Sequence, residues 1–371
     1  MGRFCPNSSF WHNLMKMPEL ERVHPHFRLN GQPYSLEELQ EVGYSLVKEG
    51  EAYEREIGDF LIDWCTDHPD VGVQTSGSTG SPVVHRLSKE SMIRSAEATA
   101  RFFGLQPGHK ALLCLPVKYI GGKMMLVRAM TLGLSLDYVM PSATPLENSG
   151  ATYDFCAMVP LQFLSSLESL DSVRQLIIGG APLGEQGIAA ARTLSTQVFE
   201  TFGMTETISH IALRRINPPE PFFHTLEGVT VSADERGCLL IHAPQLTGQP
   251  VHTNDLVRVV SETSFEWLGR YDRIINSGGV KLVPEQIERK LQGLIHTPFF
   301  IAGLPDEKLG QRLVLVVEAR TDGEILLEQL RSSGALTTYE VPKQVLNAAA
   351  FSKTGSGKVD RLATLINMGL V

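Results

Sequence analysis

"VRQLIIGGAPLGEQGIAAARTLSTQVFETFG", Val173 to Gly203, holds two short apolar runs with a helical segment between them. The first, "VRQLIIGG", is too short for a helix and runs straight into glycines, as a buried strand does before a turn. "EQGIAAARTL" has the composition of a helix, and "TQVFETFG" is again a strand that ends in a turn. A strand, a helix and a strand in succession imply a parallel pair joined by a crossover helix. The alternation continues upstream. "SKESMIRSAEATARFFG" predicts a helix with Ser88 as N-cap, Ile93, Ala96, Ala100 and Phe103 at helical spacing, and Gly104 closing it. "KALLCLPV" and "LSLDYVMP" read as strands around the helix "GGKMMLVRAMTLG", which Gly133 stops, and "VPLQFLSSLESL" as a helix with Pro160 near its start. Repeated units of this kind predict a largely parallel sheet with helices on both faces. Ligands of such sheets bind beyond the carboxyl ends of the strands, here after "LIIGG" and "VFETFG".

Beyond residue 210 the pattern changes to short β-rich pieces, "GCLLIHAP", "LVRVV" and "SFEWLG". After "GRYDR" comes a βαβ-like segment, with "PEQIERKLQG" and "GEILLEQLRSSG" as helices and "FFIAGLP" and "RLVLVVEAR" as strands. The expected class is α/β: a large N-terminal domain, 1–271, of mixed and parallel sheets with flanking helices and a small β-rich subdomain at about 211–271. A small α+β domain, 272–371, follows.

With 371 residues, 43% of them hydrophobic, the chain can bury a substantial core and is not expected to be disordered. A net charge of −8 argues against a sequence-independent nucleic-acid binder. Cys5, Cys65, Cys114, Cys156 and Cys238 are scattered without metal-ligand spacing and read as reduced thiols of a cytoplasmic protein. No apolar run is long enough for a membrane span, and the first residues lack a signal-peptide core.

"QTSGSTGSP", Gln74 to Pro82, offers the hydroxyls of Thr75, Ser76, Ser78 and Thr79 and the freely bending Gly77 and Gly80. Such a loop suits a phosphate nest and equally a surface linker, and it is no Walker A loop because no Gly-Lys-Ser/Thr closes it. "TFGMTETISH" places Thr205 and Glu206 at a strand-end turn, where the carboxylate suits either a divalent cation or a helix start. "HTNDLV" puts Asp255 in a turn before a strand, where a carboxylate can accept from both ribose hydroxyls or simply serve the turn. "LGRYDRIINSGGVKLVPEQIE" crowds Arg270, Asp272, Arg273, Gly278, Gly279 and Lys281 before a helix opening at Pro284. Near the end, "FSKTGSGKVDR" places Lys358 after a Gly/Ser loop.

In order and spacing, "TSGSTGSP", "GGAPL", "TFGMTE", "HTNDL", "GRYDRIINSGGVKLVPEQIE", "GLPDEKLG" and "KTGSGKVDR" resemble the successive core motifs of the adenylate-forming superfamily of acyl- and aryl-CoA ligases, carrier-protein adenylation domains and luciferases. The match runs from about Gln74 to Arg361. The string "GMTETISHIALR" and the short chain look most like the compact o-succinylbenzoate–CoA ligases of menaquinone biosynthesis. The resemblance implies two half-reactions. A carboxylate attacks the α-phosphate of ATP to give acyl-AMP and pyrophosphate, and coenzyme A thiol then displaces AMP.

It also implies roles. Thr75 to Gly80 would wrap the β- and γ-phosphates, and Glu206 would hold Mg²⁺ with Thr205 near the α-phosphate. Gly179, Gly180 and Ala181 would pass the adenine with main chain, with Phe202 on its face and Gly203 beside it. Asp255 would bind the ribose with Arg270, and Lys358 would reach the α-phosphate and carboxylate oxygens. Asp272 matches the hinge about which a mobile C-terminal domain would bring Gly278, Gly279 and Lys281 to the coenzyme A side.

Three departures stand out: Val83 where the phosphate loop usually has lysine, Tyr119 where a histidine is usual, and Asn254 before the ribose aspartate. The acid, an aromatic dicarboxylate, is expected near Tyr119, Lys123, Ser209 and His210, with Lys118 and Arg128 flanking. Two alternatives stay open: a ligase for another aryl or acyl acid or a carrier protein, and a regulatory protein that holds AMP without turnover. A homodimer through an apolar face of the small domain is also left open.

Overall fold

The computed structural model describes residues 22–75, 83–147, 149–354 and 359–371, with the side chains of Thr75 and Val83 outside that description. Its main feature is one thirteen-stranded sheet that changes character halfway. The strands Lys110–Leu113, Ser135–Tyr138, Tyr153–Met158, Val173–Ile178 and Gln197–Gly203 pair in parallel, as the alternating sequence predicts. Each is short, and the central pair Tyr153–Met158 and Val173–Ile178 is buried along most of its length, as in a sheet covered on both faces. The helix Lys89–Phe103 begins at Ser88, whose side chain accepts from Ser91 N–H, and ends at Gly104 in the left-handed region. The helix Ile120–Leu132 is buried nearly all round and ends the same way at Gly133.

The β-rich pieces after residue 210 continue this sheet. His210–Arg215 turns back antiparallel against Gln197–Gly203, and Phe223–Thr225, Ser264–Arg270, Val251–Ser261, Cys238–His242 and Thr230–Ala233 extend it in that order. An apolar cluster of Ile211, Phe223, Val231, Ile241 and Phe265 fills this half, with Phe202 and Trp267 packed on its edge.

A short 3-10 turn, Tyr271–Arg273, leads to a second sheet with its own apolar clusters. There Ile275–Ser277 and Val280–Leu282 form a hairpin, as do Phe299–Asp306 and Gly310–Val317. Gln344–Asn347 lies parallel to Gly310–Val317, the helix Gly323–Ser332 making the crossover. The helix Pro284–Leu291 docks on the large sheet: Arg289 Nη2 donates to Trp267 O at 3.1 Å, and Arg270 N–H donates to buried Glu285 at 3.5 Å, whose other oxygen pairs with Arg273 of the turn. No helix among the described residues is long and apolar enough to cross a membrane.

Candidate active site

Ile178 and Gly203 end neighbouring parallel strands, so the loop 179–183 and the segment 203–210 leave the same edge of the sheet. Gly180 takes φ +89°, a conformation side-chained residues resist. Buried Glu200 secures this loop: its Oε1 accepts from Leu183 N–H at 3.0 Å, and its Oε2 pairs with Arg214 on the next strand. Phe202 meets Phe265 and Phe223 edge-to-face at 5.1 and 5.9 Å, which leaves the half-buried ring anchored in the aromatic cluster.

A Cβ on Gly203 would lie 2.1 Å from Ser209 O, against backbone that cannot yield locally. Gly203→Ala is therefore expected to displace the 208–210 segment and cost about 1–3 kcal/mol. A fall in Tm together with lost activity is the expected readout, and an unchanged Tm would contradict this packing.

Thr205–Glu206–Thr207 forms a 3-10 turn. Glu206 is exposed, and among the described residues its carboxylate makes no hydrogen bond or ion pair. Ile208 then takes φ 69° and ψ −53°, and Ser209 N–H donates to Thr207 O at 2.8 Å, which is a γ-turn. A β-branched residue at positive φ is strained, and Thr207 Oγ1 holds the turn, accepting from Met204 N–H at 3.0 Å with Ser209 O at 2.9 Å and Met204 O at 3.0 Å as acceptors for its single proton. The strain sets the direction in which Ser209 and His210 leave Glu206.

Those two side chains meet a buried cation. Arg128, 1% exposed, reaches across from the helix Ile120–Leu132. Its Nη2 donates to Ser209 Oγ at 3.1 Å and His210 Nδ1 at 3.3 Å, and its Nε to Thr99 Oγ1 at 3.3 Å. Nη1 has the Met125 thioether at 3.8 Å, a weak acceptor. No carboxylate among the described residues pairs with it, and burial pulls its pKa down to about 9. Burial, then the adjacent Arg128, holds the His210 imidazole well below its ordinary value.

Lys123 points elsewhere. Its Nζ stands 4.9 Å over the Phe60 ring, and Asp63, Glu56 and Asp59 oppose the lowering of its pKa by burial. Positions 123 and 128 are five apart, about 140° around a helix axis, so the two cations leave the helix on different sides. Of the acid-side residues named from sequence, the structure brings Ser209 and His210 together and gives Lys123 separate surroundings. Tyr119 is the N-cap residue of the same helix, with Lys118 over its ring at 5.2 Å.

Asp255 lies within the strand Val251–Ser261, not in a turn before one, opposite Arg270 on the neighbouring strand. Its Oδ1 accepts from the Trp267 indole N–H at 2.9 Å and its Oδ2 is 3.6 Å from Arg270 Nη1. Arg270 lays its Nε and Nη2 on Asp272 at 3.1 and 2.8 Å, which holds the Asp272 carboxyl below the usual range. Burial raises the Asp255 pKa against the pull of Trp267 and Arg270. A raised native value means that stability falls as pH rises from the unfolded to the folded pKa, and that loss persists at neutral pH. Asp255→Asn is thus expected to raise Tm at pH 7, with the Tm gain shrinking on acidification. A lower Tm at pH 7 would contradict the sign.

Gly278 and Gly279, at φ 60° and 83°, make the turn of the hairpin whose second strand carries the exposed Lys281. Ser76 to Gly80, the side chain of Thr75 and Lys358 lie outside the described residues. The strands Asp70–Thr75 and Val83–Ser88 that flank the loop pair antiparallel, and a bridge joins Lys353 to Val359.

Comparison with known proteins places this architecture among the adenylate-forming enzymes. The family described as AMP-binding enzyme matches residues 67–235. An acyl-CoA synthetase (AMP-forming)/AMP-acid ligase II-like protein from Dyadobacter fermentans is 38% identical, covers 89% of this chain and 98% of its own, and superimposes with a TM-score of 0.59. The chain belongs to the AMP-binding enzyme family. The 2-succinylbenzoate–CoA ligase of Listeria monocytogenes is 25% identical over 358 residues, 86% of this chain and 74% of that protein. The Bacillus subtilis O-succinylbenzoate coenzyme A synthetase, solved with ATP and magnesium, shares the fold at 19% identity, with a TM-score of 0.70 over 89% of this chain and 82% of its own.

Sequence reasoning missed Trp267 and Thr99 and left Arg128 at the margin. A lone arginine inside the apolar run "KMMLVRAMTLG" was the available signal, because a cation there must find a partner or serve an anion.

Proposed function

We propose that the protein is an AMP-forming acid–thiol ligase that activates an aromatic dicarboxylate, 2-succinylbenzoate, and transfers it to coenzyme A in the route to menaquinone. The observation that carries the acid is the buried Arg128 guanidinium, which is held by neutral groups and, among the described residues, paired with no carboxylate. An isolated buried charge is costly, and a substrate carboxylate repays the cost with charge-assisted hydrogen bonds. The curated relatives in Listeria and Bacillus, named 2-succinylbenzoate–CoA ligases, support the same acid.

In this reading Asp255 accepts from the ribose hydroxyls, kept ionised by Trp267 and Arg270. The loop 179–181 and Phe202 enclose the adenine, and the phosphate loop from Thr75 to Gly80 takes the β- and γ-phosphates. Glu206 fits a Mg²⁺ site, since its unengaged carboxylate is a hard oxygen donor, and the ion would neutralise phosphate charge when bound. Arg128 and Ser209 hold the carboxylate that is not activated, which fixes the other within reach of the α-phosphate. Lys358 stabilises the charge that develops as the adenylate forms.

The segment 272–371 is the mobile cap, with Asp272 as its hinge. Arg270 then bears on both the ribose carboxylate and the hinge carboxylate. Rotation brings Gly278, Gly279 and Lys281 to the thiol path.

Pyrophosphate release with 2-succinylbenzoate, ATP and Mg²⁺, followed by AMP release that requires coenzyme A, is the expected result. Pyrophosphate from monocarboxylic aromatic acids at equal efficiency would overturn the dicarboxylate assignment. Adenylate without thioester would point to another thiol acceptor. Silence with a whole panel of acids would favour a protein that only holds the nucleotide.

A further inference from the structure

Four side chains from three segments form one closed hydrogen-bonded group: Thr99 on the helix Lys89–Phe103, Arg128 on the helix Ile120–Leu132, and Ser209 and His210 after the γ-turn. Its proton inventory has one consistent solution. A guanidinium only donates, so the His210 Nδ1 that faces Arg128 Nη2 at 3.3 Å must be a lone pair. The imidazole proton then sits on Nε2 and points at Thr99 Oγ1, 3.3 Å away. Thr99 Oγ1 accepts there and from Arg128 Nε, and its own proton goes to Ser95 O at 2.9 Å. Arg128 Nη2 and Nε, His210 Nε2 and Thr99 Oγ1 thus each have an acceptor, and the Ser209 hydroxyl lies 3.5 Å from the same Nδ1. The Nη1 edge alone faces a thioether.

We infer that His210 and Thr99 are positioning residues for Arg128: a neutral imidazole protonated on Nε2, and a hydroxyl committed to a backbone carbonyl, turn the guanidinium so that its Nη1 edge meets the acid's second carboxylate. This rests on the assignment of Arg128 to the acid. A neutral acceptor serves here because a carboxylate in its place would neutralise the cation and compete with the substrate. The charged group in contact with the imidazole is Arg128 itself. Arg94, Arg101 and Glu227 line a small cavity beside the ring, but Arg94 is paired with Glu90 and Arg101 with Glu227. Burial and the neighbouring cation both oppose protonation of His210.

The test is steady-state kinetics of the full chain with 2-succinylbenzoate, ATP and coenzyme A. His210→Leu and Thr99→Val are each expected to raise the acid KM about tenfold or more, the worth of a hydrogen bond to a charged group, with KM for ATP and coenzyme A unchanged. His210→Asn, whose amide oxygen can replace Nδ1, should recover most of that loss. In an Arg128→Met background His210→Leu should add nothing. An unchanged acid KM, equal losses for ATP, or an undiminished effect without Arg128 would overturn the proposal. If the leucine variant does not fold, nitrogen NMR of the parent imidazole, assigned by its absence from His210→Asn, decides: an imidazolium or an Nδ1–H tautomer near pH 7 refutes it. Should Arg128→Met itself leave the acid KM untouched, the acid assignment fails. Should that variant lose the acid while His210→Leu does not, only the positioning role fails.

Discussion

Lys358→Ala is expected to slow acyl-AMP formation about a hundredfold or more, while thioester formation from supplied acyl-AMP and coenzyme A keeps its rate. The size follows from removing one fixed donor at a site of developing negative charge. The ammonium is a compact point charge that can approach a phosphate oxygen and a carboxylate oxygen together. The cap that would carry it is firmly built: Arg361, just beyond, pairs with Glu288 at 2.8 Å and lies over the Phe300 ring. An alanine at 358 should therefore leave the fold intact. Rapid-quench measurement of the two half-reactions reads the split, and equal losses in both would contradict the assigned role.

Arg128→Met should raise the acid KM about thirtyfold or more, because it strips the partner from a buried charge pair in the complex. In the free protein the same change removes an uncompensated buried cation and keeps apolar volume. Tm is expected to hold or rise. Affinity lost while stability is kept or gained distinguishes a residue retained for the ligand from one retained for the core. Thermal melts and acid titrations of one preparation check both signs. A large drop in Tm with an unchanged KM would make Arg128 structural.

The parallel half of the fold was legible because its signals are local. Ser88, Gly104 and Gly133 act within one turn of their own helices, and the strand ending at Ile178, just before two glycines, needs no distant partner to be recognised. The antiparallel half was legible only as β-structure. Nothing local says that His210–Arg215 pairs back onto Gln197–Gly203 and so carries the sheet onward. The cluster around Arg128 was least legible. Thr99 and His210 are 111 positions apart and Arg128 and His210 are 82 apart, so their contact is a product of packing. Helical spacing could exclude a shared direction for Lys123 and Arg128, yet it could not say which cation faces Ser209. Glu206, Asp255 and Arg270 were singled out by the order and spacing of their motifs, whereas nothing in the sequence pointed to the indole that donates to Asp255.

Acid and ATP are expected to react on this protein before any thiol arrives. Exchange of labelled pyrophosphate into ATP, with Mg²⁺ and no coenzyme A, measures that step directly. Exchange that requires 2-succinylbenzoate is the predicted result. Tight ATP binding without exchange, for this acid and for every acid tried, would contradict it.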